Sequence, residues 1–202
     1  MAGPHEVLGM SRLLGITTTE LLARYTDNGG TTLRFGADGR CAFLTEAGCR
    51  VHPRRPLVCR LYPLGRATDS RGDEGFALFP KPDDCQGEWG TEGTIADFLG
   101  SQGVEPYIAW SVRYGELYRR MLGILERMDV QGKVVAVPAG APGAPPPEPA
   151  AVRTEPLSPW QDVDASLSEY CAAKGIAVPS AVEEAIDLHL AAMREWLDGL
   201  EE

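Results

Sequence analysis

A mainly α-helical protein with a loop-rich cysteine centre and at most two or three short strands is what three features of the 202-residue sequence predict. Helix-spaced apolar stripes occupy both ends of the chain. Only Thr31 to Phe35 and Phe76 to Phe79 fit short strands. Between them lies a Gly-, Pro- and Arg-rich stretch, mostly loop, and four of the five cysteines fall at or just beyond it.

In chain order, Val7, Leu8, Met10, Leu13 and Leu14 set a first helical stripe, which Gly15 interrupts. Thr17-Thr18-Thr19 starts a second helix carrying Leu21, Leu22 and Tyr25. Asn28-Gly29-Gly30 marks a turn. From Glu105 a long helix is expected, with Ile108, Val112, Leu117, Met121, Leu122, Leu125 and Met128 on its apolar side. Residues 137–157 are Ala, Gly and Pro with almost nothing to bury, the composition of an extended linker. They divide a cysteine-containing domain, 1–136, from a helical pair, 158–202. Ser158-Pro159-Trp160-Gln161 has the form of a capping box with proline at the first helical position. Gly175 ends the first helix of the pair. Ser180-Ala181-Val182-Glu183 caps a last helix carrying Ile186, Leu190 and Leu197. Such a pair is too small to fold alone, so it is expected to dock on the main domain or on a partner protein.

The chain has a net charge of −10, which argues against a general nucleic-acid binder. The charge is uneven: from Arg40 to Arg66, six arginines face a single acid, Glu46. No run approaches the ~18 apolar residues of a membrane span, and the first residues lack the basic start of a secretion signal. A cytoplasmic, reducing setting follows, in which an odd number of cysteines fits metal binding better than a disulfide framework.

The cysteines are spaced Cys41-x7-Cys49-x9-Cys59-x25-Cys85. That is neither the paired knuckle of zinc ribbons nor the tight repeat of bacterial ferredoxins. Four thiolates around Zn²⁺, or around a [4Fe–4S]²⁺ cluster, leave a doubly negative centre that needs nearby cations and N–H donors. Arginines adjacent to Cys41, Cys49 and Cys59 are placed to supply them and to favour the ligating thiolate. Pro53, Pro56 and Pro63 stiffen the loop. Reduced cysteines acting as small core residues would sit among Val and Leu rather than Arg and Pro.

The runs Cys41-Ala42-Phe43-Leu44, Cys49-Arg50-Val51-His52 and Arg55-Pro56-Leu57-Val58-Cys59-Arg60-Leu61-Tyr62-Pro63, with Asp84-Cys85-Gln86-Gly87, closely resemble the YkgJ-type cysteine-cluster family, described as zinc- or iron-chelating. The resemblance covers roughly residues 5 to 125. It implies Cys41, Cys49, Cys59 and Cys85 as metal ligands, and an iron–sulfur cluster, [4Fe–4S] in type, as the metal group. Zinc is the alternative, since the spacing suits both. Arg55 and Arg60 are expected to bring positive charge close to the sulfurs. His52 stands where the family has Tyr, beside the site rather than in it. The dense C-x-x-C-x-x-C-C element that precedes the first helix in relatives has no counterpart here, because no cysteine precedes Cys41. Flagellin lysine methylases share the domain, so methyl transfer is a competing reading. No S-adenosylmethionine loop or other catalytic motif supports an enzyme. A zinc-based interaction module, binding a protein through its acidic C-terminal helices, is the third. Cys171 and the tryptophans, Trp89, Trp110, Trp160 and Trp196, fit packing roles. His189 is expected to be a partly exposed helical residue.

Overall fold

The computed structural model describes residues 2–69, 73–83, 85, 87–88, 90, 92–127 and 160–201. The 137–157 linker, Ser158, Pro159, Asp84, Gln86, Trp89 and Met128 lie outside the described residues. Among the described residues are seven α-helices and three two-stranded antiparallel sheets.

Helix α1 spans Pro4–Leu14, with proline at its first position and Glu6 returning its carboxylate to the Gly3 N–H. Gly15 ends it at φ 67°, a left-handed conformation that glycine reaches without a Cβ clash. Helix α2, Thr18–Tyr25, starts from a reciprocal capping box between Thr17 and Glu20. Strands β1 (Thr26–Asp27) and β2 (Thr32–Leu33) pair around the Asn28-Gly29-Gly30 turn. Then come β3 (Leu44–Thr45), β4 (Gly48–Cys49), a short helix α3 (Leu57–Leu61) and the hairpin of β5 (Leu64–Thr68) and β6 (Glu74–Leu78). Helices α4 (Ile95–Gln102), α5 (Glu105–Arg127), α6 (Val163–Lys174) and α7 (Val182–Glu201) complete the fold.

Two apolar clusters share α1. Its Val7 and Met10 join Ala2, Leu21, Leu22, Phe43 and Val51 in one; its Leu8 joins Tyr114, Leu117, Ile124 and the inner faces of α6 and α7 in the other. Helix α1 is therefore buried on two sides and ties the cysteine-bearing hairpin to the helical layer. Helix α5 is rotated from its expected phase. Its buried face runs through Tyr107, Tyr114, Leu117 and Ile124, with Trp110 and Met121 half-buried, whereas Val112, Leu122 and Leu125 are exposed. Aromatic side chains bury more area than the aliphatic positions a short step away, and they set the phase. Leu13 on α1 is likewise exposed.

The C-terminal pair is clamped to α2 by two aspartates. Asp162, the N-cap of α6, accepts hydrogen bonds from the hydroxyls of Thr18 (2.6 Å) and Thr19 (2.7 Å). Asp164 accepts from the Thr18 N–H (2.7 Å) and forms a two-point ion pair with Arg12, and its own N–H donates to the Thr18 hydroxyl. Burial pushes the Asp164 carboxyl up, but Arg12 and Thr18 outweigh it and hold its pKa below the usual range. Helix α6 thus starts four residues later than the Ser158-Pro159 pattern implies. A carboxylate that caps its own helix and grips the start of α2 outcompetes the earlier local cap.

His189 is fully buried rather than partly exposed, with Nδ1 2.8 Å from the Tyr114 hydroxyl. The His5 ring also stacks on Tyr114, at 5.6 Å. Burial lowers both histidines from 6.5 to about 4. Below pH 6.5 the unfolded chain takes up protons that the folded one refuses until about pH 4, so stability is full above 6.5 and falls between 6.5 and 4. Each histidine is worth up to about 3 kcal/mol over that window. His5→Phe is expected to remove about half of the dependence, read from urea midpoints across the window; an unchanged slope would contradict it.

Candidate metal centre

Three of the predicted ligands are held in place by buried residues close to them in the chain. Phe43 and Val51 point into the core, and Phe43 stacks on Tyr25 at 4.6 Å. Cys41 and Cys49 stand two residues before these anchors. Cys41 is half-buried and held by an antiparallel bridge to Phe35; Cys49 pairs with Leu44 across the β3–β4 hairpin and is exposed. Gly48, at φ 100°, makes that hairpin turn possible. Cys59 sits on α3, which Pro56 starts and the buried Leu61 anchors.

These three thiols share an electrostatic neighbourhood. The Cys59 pKa is raised, first by burial of its thiol, then by the negative charges of Cys41 and Cys49, and further by Glu6, while Arg55 lowers it. The residue as a whole is exposed, so its sulfur is partly enclosed while its outer edge faces solvent. Cys59 also lines an apolar cleft of about 510 Å³ with Ala2, Leu33, Phe35, Pro56 and Tyr62. Cys85 makes local contacts: its N–H donates to the Pro82 carbonyl (3.0 Å), and Gly87 lies beside its sulfur. Among the described residues, no three His, Cys, Asp or Glu side chains already stand in metal-ligand geometry. Soft thiol donors near enough for Cys41 and Cys49 to act on the Cys59 thiol nonetheless fit a thiophilic metal, which binds thiolates.

The arginines divide by task. Arg60 is buried and stacked 4.1 Å over the Tyr107 ring. It donates to the carbonyls of Arg55 (3.0 Å), Gln102 (2.7 Å) and Pro53 (2.7 Å) and to the Tyr107 hydroxyl (2.9 Å). Those bonds fasten the 53–60 loop to the junction of α4 and α5, and none of them reaches a sulfur. Arg55 donates to Gln102 Oε1 (2.6 Å) and the His52 carbonyl (2.7 Å), and its charge acts on Cys59. His52 is exposed and meets Arg55. Arg54 and Arg66 pair with Glu183 and Glu74.

Glu6 is the residue that sequence reasoning missed. Its carboxylate is 3% exposed and accepts from the N–H groups of Gly3 (2.7 Å) and Leu57 (2.5 Å), so one side chain caps both α1 and the helix carrying Cys59. Burial raises its pKa against those bonds and the charge of Arg60. Its position three residues after Gly3 fits a capping box, but the second bond spans 51 residues and leaves no local signal. Glu6→Gln turns one buried acceptor into a donor and is expected to cost about 1–3 kcal/mol. The exposed Glu20→Gln, the same cap without burial, should cost a few tenths. Equal shifts in their urea midpoints would contradict the buried double cap.

Residues 5–85 match the family model CxxCxxCC, described as "Putative zinc- or iron-chelating domain". No curated protein and no solved structure matches the chain. The match supports metal binding for this domain without choosing between the two metals. Among the described residues, no helix is long and apolar enough to cross a membrane.

Proposed function

We propose that this zinc- or iron-chelating domain holds an iron–sulfur cluster of the [4Fe–4S] type through Cys41, Cys49, Cys59 and Cys85. The observation that supports the proposal is that Cys59, on α3, feels the negative charges of Cys41 and Cys49, which belong to the preceding loop and hairpin. When bound, such a cluster supplies one-electron transfer. The chain's own residues hold the sulfurs and set their surroundings. Phe43, Val51 and Leu61 fix the backbone on either side of the thiols, and the apolar cleft at Cys59 limits water on one flank. Arg55 brings the positive charge that offsets the thiolates, while Arg60 holds the loop that carries it. A ligand set drawn from three separate segments, the 41–49 stretch, α3 and the chain after β6, can be assembled only by the folded chain, so binding and folding reinforce each other.

Zinc is the second reading, favoured by the exposure of Cys49 and Cys59, since a redox-silent ion tolerates an open site. Protein purified without oxygen distinguishes them. A brown colour with iron and acid-labile sulfide in equal amounts supports the cluster. Colourless protein with stoichiometric zinc overturns it and leaves a structural zinc module.

A further inference from the structure

A second cleft, of about 490 Å³, opens between α1, α3, α5 and the β5–β6 hairpin. No cysteine lines it. Its walls are apolar: Leu57, Val58, Leu61, Tyr62, Leu64 and Phe79. At its base are His5, Glu6, Ser111 and Tyr114, and Arg66 stands at its side. The volume and the mix of apolar walls with a few convergent polar groups are those of small-molecule sites, which run from ~300 to ~1,000 Å³.

The polar groups at the base are not equivalent. Glu6 is saturated by the two helix N-termini it caps. The Tyr114 hydroxyl is bonded to His189, and the Arg66 charge is balanced by Glu74 across the hairpin, although its buried Nε has no hydrogen-bond partner. His5 is the more deeply buried of the two unpartnered groups: it is 97% buried, its Nε2 meets Ser111 Oγ at 3.5 Å, and its Nδ1 has no hydrogen-bond partner. The floor beside Nδ1 stays open because residue 3 is glycine. A Cβ there would come within 2.9 Å of His5 Cε1 and 3.1 Å of Nδ1. A buried, unpartnered ring nitrogen costs free energy that a ligand hydrogen bond would recover.

We propose that this cleft binds a small, mostly apolar molecule whose single uncharged hydrogen-bonding group, a hydroxyl or an amide, pairs with His5 Nδ1. The charges around it exclude the alternatives. An anion would face the buried Glu6 carboxylate, with Arg66 already held by Glu74. A cation would find Glu6 occupied and a neutral imidazole, since burial holds His5 near 4. Of the titratable groups packed around His5, the tyrosines Tyr107 and Tyr114 add no charge.

Three probes with one apolar body test this on the full chain: 4-phenylbutanol, 4-phenylbutyrate and 4-phenylbutylamine, titrated at pH 7 with binding followed by calorimetry and by amide shifts at His5 and Ser111. The alcohol is expected to bind saturably and at least tenfold more tightly than either charged probe. His5→Phe keeps the ring and its stacking but removes the nitrogen; it should weaken the alcohol at least fivefold and leave the metal content unchanged. Leu64→Trp, which fills the cleft from the hairpin, should abolish binding. No saturable binding, equal binding of all three probes, or an affinity for the alcohol that neither variant changes would overturn the proposal. Metal content measured on the same samples keeps its failure distinct from failure of the metal assignment.

Discussion

Cys59→Ser is expected to leave the protein without its metal and to lower its thermal midpoint by many degrees. A serine hydroxyl stays protonated at neutral pH and does not replace a soft thiolate. Because the binding free energy of a folded-state metal site is also folding free energy, losing one ligand removes both together. Cys59 is the most exacting of the proposed ligands to change, since it stands on a helix whose start is fixed by Glu6 and whose end is fixed by Leu61. Its thiol is also held in the protonated form by burial and by Cys41 and Cys49. Loading therefore has to displace a proton, and metal retention should strengthen as pH rises. Cys171→Ser provides the control. That residue is 2% exposed on α6, away from the centre, so the variant should keep its full metal content and lose about 1–2 kcal/mol of stability. Elemental analysis after a chelator challenge reads both variants, and full metal in Cys59→Ser would refute the ligand assignment.

Local physics made much of this fold legible. Gly15 and Gly175 end helices at φ 67°, and Thr17 caps α2, because those effects act within four residues. The stripe on α5 was out of phase for a different reason: aliphatic spacing alone weighs Val112 and Leu125 as heavily as Tyr107 and Tyr114, although the larger rings decide what is buried. The α4 helix, capped by Thr94 and Asp97, sits in a stretch where Gly and acidic residues mask the pattern. At the candidate centre, the cysteine-rich stretch stood out from spacing and residue type, and the charge of Arg55 does act on Cys59. The task of Arg60 could not be read this way, because a buried arginine and a solvated one look alike until Tyr107 and Gln102 are seen around it. Nor could Glu6, whose partner at Leu57 comes close only after folding. His189 was misplaced for the same reason, its partner Tyr114 lying 75 residues away.

Removing residues 160–202 is expected to unfold the chain rather than to release an independent module. Seven of the eleven buried members of the larger cluster come from α6 and α7, among them Val163, Leu167, Ile186, Leu190 and Leu197. At roughly 1.5–3 kcal/mol for each large side chain, their loss amounts to on the order of 10 kcal/mol. The total stability of a domain is about 5–15 kcal/mol. The deletion would also expose Leu8 of α1, whose other face carries the cysteine hairpin, and would strip Thr18 and Arg12 of Asp162 and Asp164. The loss thus spreads from the helical layer toward the metal centre. A truncated chain with a cooperative thermal transition and bound metal would contradict this. The same geometry changes how partner binding by these helices has to be tested. Four acids of α7 are engaged within the chain: Glu183 with Arg54, Asp187 with Arg113, Glu195 with Lys174, and Asp198 with Arg120. A deletion would remove the fold along with any binding surface, whereas charge reversal at the exposed Asp187 and Asp198 alters the surface alone. Exposed pairs contribute up to about 1 kcal/mol each, so the reversed protein should stay folded and metal-loaded. Any partner captured by the native chain and lost by that variant would then be assigned to α7 itself.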